Sequence, residues 1–315
     1  MLKERIVRSK MEKLFKGTYG IVLTPFKDNG EVDYNLLEKY VSLVSESKHI
    51  NGLVLCGSTG EFSRLSFDEN IEIMKRTGSI IKSEDKQFVC GATAGDTYEA
   101  QKYIEKINEM EADGILLAPP YYFTLSEEEI LAHYETILKF NNNKTPVVGY
   151  NIPQCTNPVS IRVFERLLDY ECVKGYKNSW NDMQEITTEI SIRNAKRPDV
   201  SMLTGLDACL YGTLALGGDG LFTAITYLMP RVMNYIYEMF YTDKERAFKC
   251  QCELIKLIDV VNRFTFPFGY RVLSEALGMP LGYGREAIPV FSGAKRAQED
   301  MYIIYKNIIS IIGGF

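Results

Sequence analysis

Histidine and tryptophan are nearly missing from this chain, which has two of the first and one of the second in 315 residues. His49 and His133 lie in separate helix-like stretches, so a histidine-based metal centre has nothing to be built from. The seven cysteines (Cys56, Cys90, Cys155, Cys172, Cys209, Cys250 and Cys252) are odd in number and form no pair of CxxC units. Structural zinc and a disulfide framework are thereby excluded, and reduced thiols in a cytoplasmic protein are expected. No apolar run approaches the ~20 residues that span a bilayer, so no membrane partner is expected. The first ten residues carry five charges and no apolar core, which rules out a secretory signal and points to a helical or disordered leader. A net charge of -5 provides no basic stripe, so nucleic acid is not an expected partner either.

What remains is the composition of a globular protein with a sizeable core, 46% hydrophobic and 24% charged. Apolar, β-rich runs recur at residues 18–26, 52–58, 87–93, 114–120, 146–152, 173–179, 201–206 and 220–225. Helical periodicity fills the gaps. Residues 34–48 follow the cap candidate Asp33 and place Leu36, Leu37, Tyr40, Val41 and Val44 on one face. Residues 67–82 follow Ser66, with Glu69 completing a capping box, and Ser126 with Glu127, Glu128 and Glu129 opens the next helix in the same way. Eight strand–helix units of one composition predict an α/β fold, a closed (β/α)8 TIM barrel. A doubly wound sheet is the alternative, but the GxGxxG turn expected after an early strand is missing. From residue 243 the chain reads as helical, at 244–264, 270–277 and 292–312. The expected division is a leader at 1–16, a catalytic barrel at 17–242 and an appended helical subdomain at 243–315.

Barrel enzymes place their chemistry at the C-terminal ends of the strands. Strand two ends in Cys56-Gly-Ser-Thr-Gly-Glu61, which is either an anion-holding backbone turn or a tight βα turn with a helix cap. Strand four ends in Ala118-Pro-Pro-Tyr-Tyr-Phe123, whose tyrosines could simply pack. Strand five ends in Gly149-Tyr-Asn-Ile-Pro153, where Tyr150 is a core residue or an acid/base. Strand six carries Lys177, a costly residue in an apolar strand unless it is paired or kept for chemistry. Gly175 and Ser179 share its face, and no Asp or Glu stands at a matching place on strands five or seven. A neutral amine, able to attack a carbonyl, is then the cheaper state.

Taken together, Gly57-Ser-Thr-Gly-Glu61, Tyr121-Tyr122, Tyr150-Asn-Ile-Pro153 and Gly175-Tyr-Lys177 resemble the dihydrodipicolinate synthase / N-acetylneuraminate lyase family. The likeness runs from Gly17-Thr-Tyr-Gly-Ile-Val-Leu-Thr-Pro25 through Gly217-Gly-Asp-Gly220. The resemblance implies a metal-independent class I aldolase or lyase that needs no cofactor. In it Lys177 forms a Schiff base with pyruvate and Tyr150 acts as acid/base. Thr59 and Tyr122 supply a hydroxyl relay, with Tyr122 reaching a neighbouring subunit of a homodimer or homotetramer. Gly57, Ser58 and Thr59 would hold the pyruvate carboxylate. Cys155, Ser179, Asp207 and Phe222 are candidates to bind the remainder of the substrate.

The departures from the family bear on that remainder. Cys155 stands where the synthases carry an arginine for the carboxylate of the incoming aldehyde. Gly205-Leu-Asp207 resembles the polyol-tail element of the sialic acid lyases, yet Ala208 and Ala224 replace its polar partners. Trp180 either narrows the pocket or packs at its rim. The expected activity is therefore a lyase or aldolase acting on pyruvate and an aldehyde or a 2-keto acid. Condensation of pyruvate with aspartate semialdehyde, as in 4-hydroxy-tetrahydrodipicolinate synthase, and aldolases or dehydratases of the 2-keto-3-deoxy sugar-acid type are alternatives. A barrel that binds a keto acid without catalysis is the alternative of another class.

Overall fold

The computed structural model describes residues 13–282, 284–285 and 293–313. Most of the expected leader, and residue 292 at the start of the last expected helix, lie outside them. Eight parallel strands follow one another around a closed barrel in chain order. They are β1 (Gly17–Ile21), β2 (Gly52–Leu55), β3 (Gln87–Gly91), β4 (Gly114–Leu117), β5 (Val147–Asn151), β6 (Val173–Asn178), β7 (Ser201–Thr204) and β8 (Gly220–Thr223). Helices α1 (Tyr34–Ser45), α2 (Phe67–Ser83), α3 (Thr97–Glu109), α4 (Glu127–Asn141), α5 (Ile161–Leu167), α6 (Met183–Lys196) and α7 (Leu210–Ala215) connect them. The expected TIM barrel is the observed one.

Local chemistry explains where these elements begin. Asp33 accepts a hydrogen bond from the Leu36 N–H at the start of α1, and both serine–glutamate capping boxes form, at Ser66/Glu69 and Ser126/Glu129. Each box satisfies two of the backbone donors that a helix start leaves orphaned. Every strand is shorter than its apolar run, and at two of them the reason is plain. β1 stops at Ile21, and beyond it Val22 donates to the Val54 carbonyl before the chain turns away at Pro25, which has no N–H to continue a ladder. β8 stops at Thr223 because the next residues turn straight into α8 (Ala224–Leu228). Beyond α8 the chain stays helical, with α9 (Pro230–Thr242) before residue 243 and α10 (Lys244–Val261), α11 (Phe268–Ala276) and α12 (Ala294–Ile311) after it. Among the described residues no helix is long and apolar enough to cross a membrane.

Contacts concentrate in two compact units, one of residues up to Gly17 with Val89–Leu221 and the other of Thr18–Phe88 with Phe222 onward. In the first unit Phe15 is fully buried and donates its N–H to the Ser201 hydroxyl. In the same unit, Asp219 holds a charged triad. Its carboxylate accepts from Lys13 Nζ at 2.6 Å, from Arg193 at 3.2 Å and from the Met202 N–H at 2.8 Å. In the second unit Glu61 is buried in the left-handed conformation between two 3-10 turns. Arg271 grips its carboxylate through two nitrogens and also donates to the carbonyls of Thr24 and Leu281.

Removing one member of a buried ion cluster leaves the others uncompensated. Asp219→Ala strands Arg193 and Lys13 as like charges and should cost about 3 kcal/mol or more of stability, read as a lower midpoint in urea with the m-value unchanged.

Candidate active site

Lys177 lies on the interior face of β6 and is 1% exposed. Alternation along the strand sends Tyr176 and Asn178 to the helix side, where the Tyr176 ring packs on Phe164 of α5 at 4.5 Å. The β5–β6 register places Tyr150 directly opposite Lys177 and Asn151 opposite Asn178. That register results from a local shift, since Val147 pairs with Val173 but Val148 already pairs with Gly175. Above the shift the Lys177 ammonium position lies 4.0 Å from the centroid of the Tyr150 ring. The Ser179 hydroxyl donates to the Tyr150 phenol oxygen at 3.2 Å. Tyr150 and Ser179 are both buried.

Burial lowers the Lys177 pKa to about 7, against the opposing pull of negative charge at Asp207 and Cys155. A substantial fraction of the amine is therefore neutral near pH 7, which a nucleophile requires. Asp207 begins the 3-10 turn after β7 and is itself buried. Cys155 lies in the turn after β5, with its N–H bonded to the Ile152 carbonyl at 2.9 Å. Cys155 is exposed, and partial desolvation raises its thiol while Lys177 draws it the other way.

Gly205, which the sequence marks only as part of the Gly205-Leu-Asp207 element, also shapes this site. A Cβ on Gly205 would lie 1.9 Å from the Ser179 Oγ and 2.5 Å from the Lys177 Cε, so only glycine leaves room for the lysine chain. No signal in the chain marks this, because the clash exists only once β6 and β7 lie side by side.

The remaining predicted site residues have environments of their own. Tyr122 is 90% exposed with a φ of +80°, edge-on to Phe123, and its ring is not packed with Lys177 and Tyr150. Asn157 holds that loop, donating to the carbonyls of Pro120 and Phe123 and accepting from the Leu125 N–H, each at 2.8 Å. Gly57, Ser58 and Thr59 belong to the second unit, in the 3-10 turn after β2. Thr59 is buried, and a Cβ on Gly60 would fall 2.7 Å from the Val22 carbonyl oxygen. Phe222, on β8 of the same unit, is fully buried with its ring 4.6 Å from that of Tyr19. Neither histidine is part of a metal cluster, and no group of three metal-ligating side chains occurs among the described residues. His133 is buried on α4 against the Thr97 hydroxyl and pushed down to about 4 by burial, and His49 meets Asn234.

Residues 14–309 match the model of the dihydrodipicolinate synthetase family. The chain belongs to that family. Its members are class I pyruvate-dependent lyases that work through a lysine Schiff base. A DapA-like lyase of Pyrococcus horikoshii is 28% identical over 263 residues, spanning 82% of this chain and 89% of that one. A 4-hydroxy-tetrahydrodipicolinate synthase of Archaeoglobus fulgidus is 27% identical over 297 residues, or 94% and 99%. Among solved structures, the synthase of Cyanidioschyzon merolae, determined with lysine bound, superposes with a TM-score of 0.86. It covers 96% of this chain and all of that one at 23% identity. The barrel is thus the family's barrel, and the chain is a Schiff-base-forming lyase or aldolase.

Two outcomes follow from this geometry. Gly205→Ala should lower turnover at least ~100-fold, because an ångström of misplacement at a reacting group costs that much. A circular-dichroism spectrum would verify that the variant is folded. Lys177→Met should raise stability, since the folded protein holds a lysine at about 7 that titrates near ~10.4 when unfolded. The unfolded state binds the extra proton between those values, so the native protein is most penalised below pH 7 and recovers as the pH climbs. The melting-temperature advantage of Lys177→Met should accordingly be largest below pH 7 and fade toward pH 10.

Proposed function

We propose that Lys177 is the Schiff-base lysine of this enzyme and that pyruvate is its common substrate fragment. The observation that carries this reading is the buried, readily neutral amine of Lys177 set against Tyr150, whose phenol oxygen accepts from Ser179. The amine attacks the keto carbon, a carbinolamine forms, and loss of water leaves an iminium. That cation accepts the electron pair released when a neighbouring proton or carbon–carbon bond is removed, and the resulting enamine adds to an aldehyde in the reverse sense. Tyr150 supplies and removes protons at the imine and at the aldol hydroxyl, a task for which a phenol needs hydrogen-bonded partners. Ser179 is one such partner, and Thr59 and Tyr122 are assigned to the same relay by the family pattern. Gly57, Ser58 and Thr59 receive the pyruvate carboxylate by the same correspondence.

Residues 17–242 carry the chemistry in this reading, and 243–315 form an appended helical part. The exposure of Tyr122 beside Phe123 supports a homodimer or homotetramer in which Tyr122 completes the neighbouring site. The cytoplasm is the compartment that suits seven free thiols. For the second substrate, Cys155 offers no guanidinium fork and Asp207 adds negative charge near the amine. An aldehyde without a carboxylate at its far end fits these two residues better than aspartate semialdehyde.

Incubation with pyruvate followed by borohydride should leave an irreversible adduct on Lys177 that is absent from Lys177→Ala. A wild-type protein that forms no adduct, or an adduct that survives the substitution, overturns the assignment. In an acceptor screen, neutral polyhydroxy aldehydes should outpace aspartate semialdehyde by tenfold or more in kcat/KM. The reverse order would identify a tetrahydrodipicolinate-type synthase.

A further inference from the structure

On the side of β5 and β6 that faces away from the barrel interior, Asn151 and Asn178 stand opposite each other one residue beyond Tyr150 and Lys177. Both amides reach the same oxygen. Asn151 Nδ2 donates to the Glu185 Oε1 at 3.0 Å and Asn178 Nδ2 donates to it at 3.3 Å. Asn178 Nδ2 also donates to the carboxyl of Glu189, one turn further along α6, at 2.9 and 3.0 Å. The carbonyl ends of the two amides are occupied as well. Asn151 Oδ1 accepts from the Val159 N–H at 3.1 Å, and Asn178 Oδ1 from the Trp180 N–H at 2.7 Å. Asn151, Asn178 and Glu189 are buried, and Glu185 is half-buried in the first turn of α6. Asp182 caps that turn, accepting from the Glu185 N–H.

We propose that Glu185 is a positioning residue whose carboxylate ties Asn151 to Asn178 behind the sheet and thereby sets the lateral relation of Tyr150 and Lys177 in front of it. The register shift lower in the β5–β6 ladder gives this tie a purpose. A ladder that has slipped once is held at its upper end by the Ser179 N–H to Asn151 carbonyl bond and by the shared carboxylate. Each asparagine is covalently next to a residue of the Tyr150–Lys177 pair, so a lateral movement behind the sheet is a movement in front of it. Ordinary strand pairing needs no such arrangement, and two carboxyl groups four residues apart on a buried helix face are costly without a task. Burial holds both carboxyls above their usual range, Glu189 at about 8, so Asn178 meets a largely protonated Glu189 and the shared Glu185 rather than two full charges.

The inference rests on the reading that Lys177 and Tyr150 do the chemistry, and the test separates the two. Glu185→Ala and Glu185→Gln are compared with the exposed neighbour Gln184→Ala by two readouts. One is the rate of borohydride-trappable pyruvate adduct formation, followed to saturation. The other is acrylamide quenching of Trp180, the sole tryptophan, whose N–H is bonded to Asn178. Glu185→Ala should slow adduct formation and turnover 10- to 100-fold (order of magnitude from reacting-group misplacement). The final adduct yield and the pyruvate KM should stay within about twofold, and Trp180 quenching should increase. Glu185→Gln keeps one oxygen able to accept from both amides and should retain most of the rate and the wild-type quenching, as should Gln184→Ala. Wild-type rates in Glu185→Ala, or equal losses in the Ala and Gln variants, overturn the proposal. A wild-type protein that forms no adduct overturns the Schiff-base reading instead, and the Trp180 quenching of the two variants then decides by itself whether Glu185 holds the strands.

Discussion

Burial of the Lys177 amine is the constraint to which most of the first unit answers. A charged ammonium at 1% exposure would be intolerable without a close counter-ion, and the strands beside it supply none. Burial therefore brings its pKa down to about 7, against the opposing pull of Asp207 and Cys155. Space is limited as well, because β7 continues into Gly205 where any side chain would strike the lysine. The stability sacrificed by burying this amine leaves it partly neutral near pH 7, which the proposed nucleophile requires.

Other buried charges in the chain are handled in the opposite way. Asp219 is matched by Lys13 and Arg193, and Glu61 by Arg271 and Arg64. These are structural charges, each with several hydrogen bonds to offset the loss of water. Glu185 and Glu189 form a third class, carboxyls satisfied by neutral amides, and burial pushes their pKa values up. Among the described residues these three kinds of buried ionisable group coexist, and the Lys177 amine is the one set apart here as partly neutral near pH 7.

In the proposed function, the chemistry on pyruvate and the choice of acceptor rest on different residues. That proposal gives Lys177 and Tyr150 the Schiff-base chemistry and assigns Gly57–Thr59 to the pyruvate carboxylate by the family pattern. Cys155 and Asp207 are its candidates for the acceptor side, and Trp180 is 41% exposed at the end of the lysine strand. Under that proposal, a far side without a guanidinium suits an aldehyde that carries no carboxylate there.

Features that depend on near neighbours were legible in the linear order. The Asp33, Ser66 and Ser126 caps act within three residues, and the alternating apolar runs announce strands wherever no proline or early helix cuts them short. Lys177 stood out for the same reason, as a cation within an apolar strand. Features that depend on distant partners were not legible. Gly205 excludes a side chain because of residues 26 to 28 positions earlier, and Glu61 is satisfied by an arginine 210 residues away. Glu185 looked like an ordinary first-turn acid until β5 and β6 brought two asparagines to one of its oxygens. Residue order thus dictates the periodicity, the caps and the candidate nucleophile, because those are short-range energies. Which groups share a proton, a cavity or a hydrogen bond is decided only when strands close side by side, since desolvation and steric exclusion arise from neighbours in space.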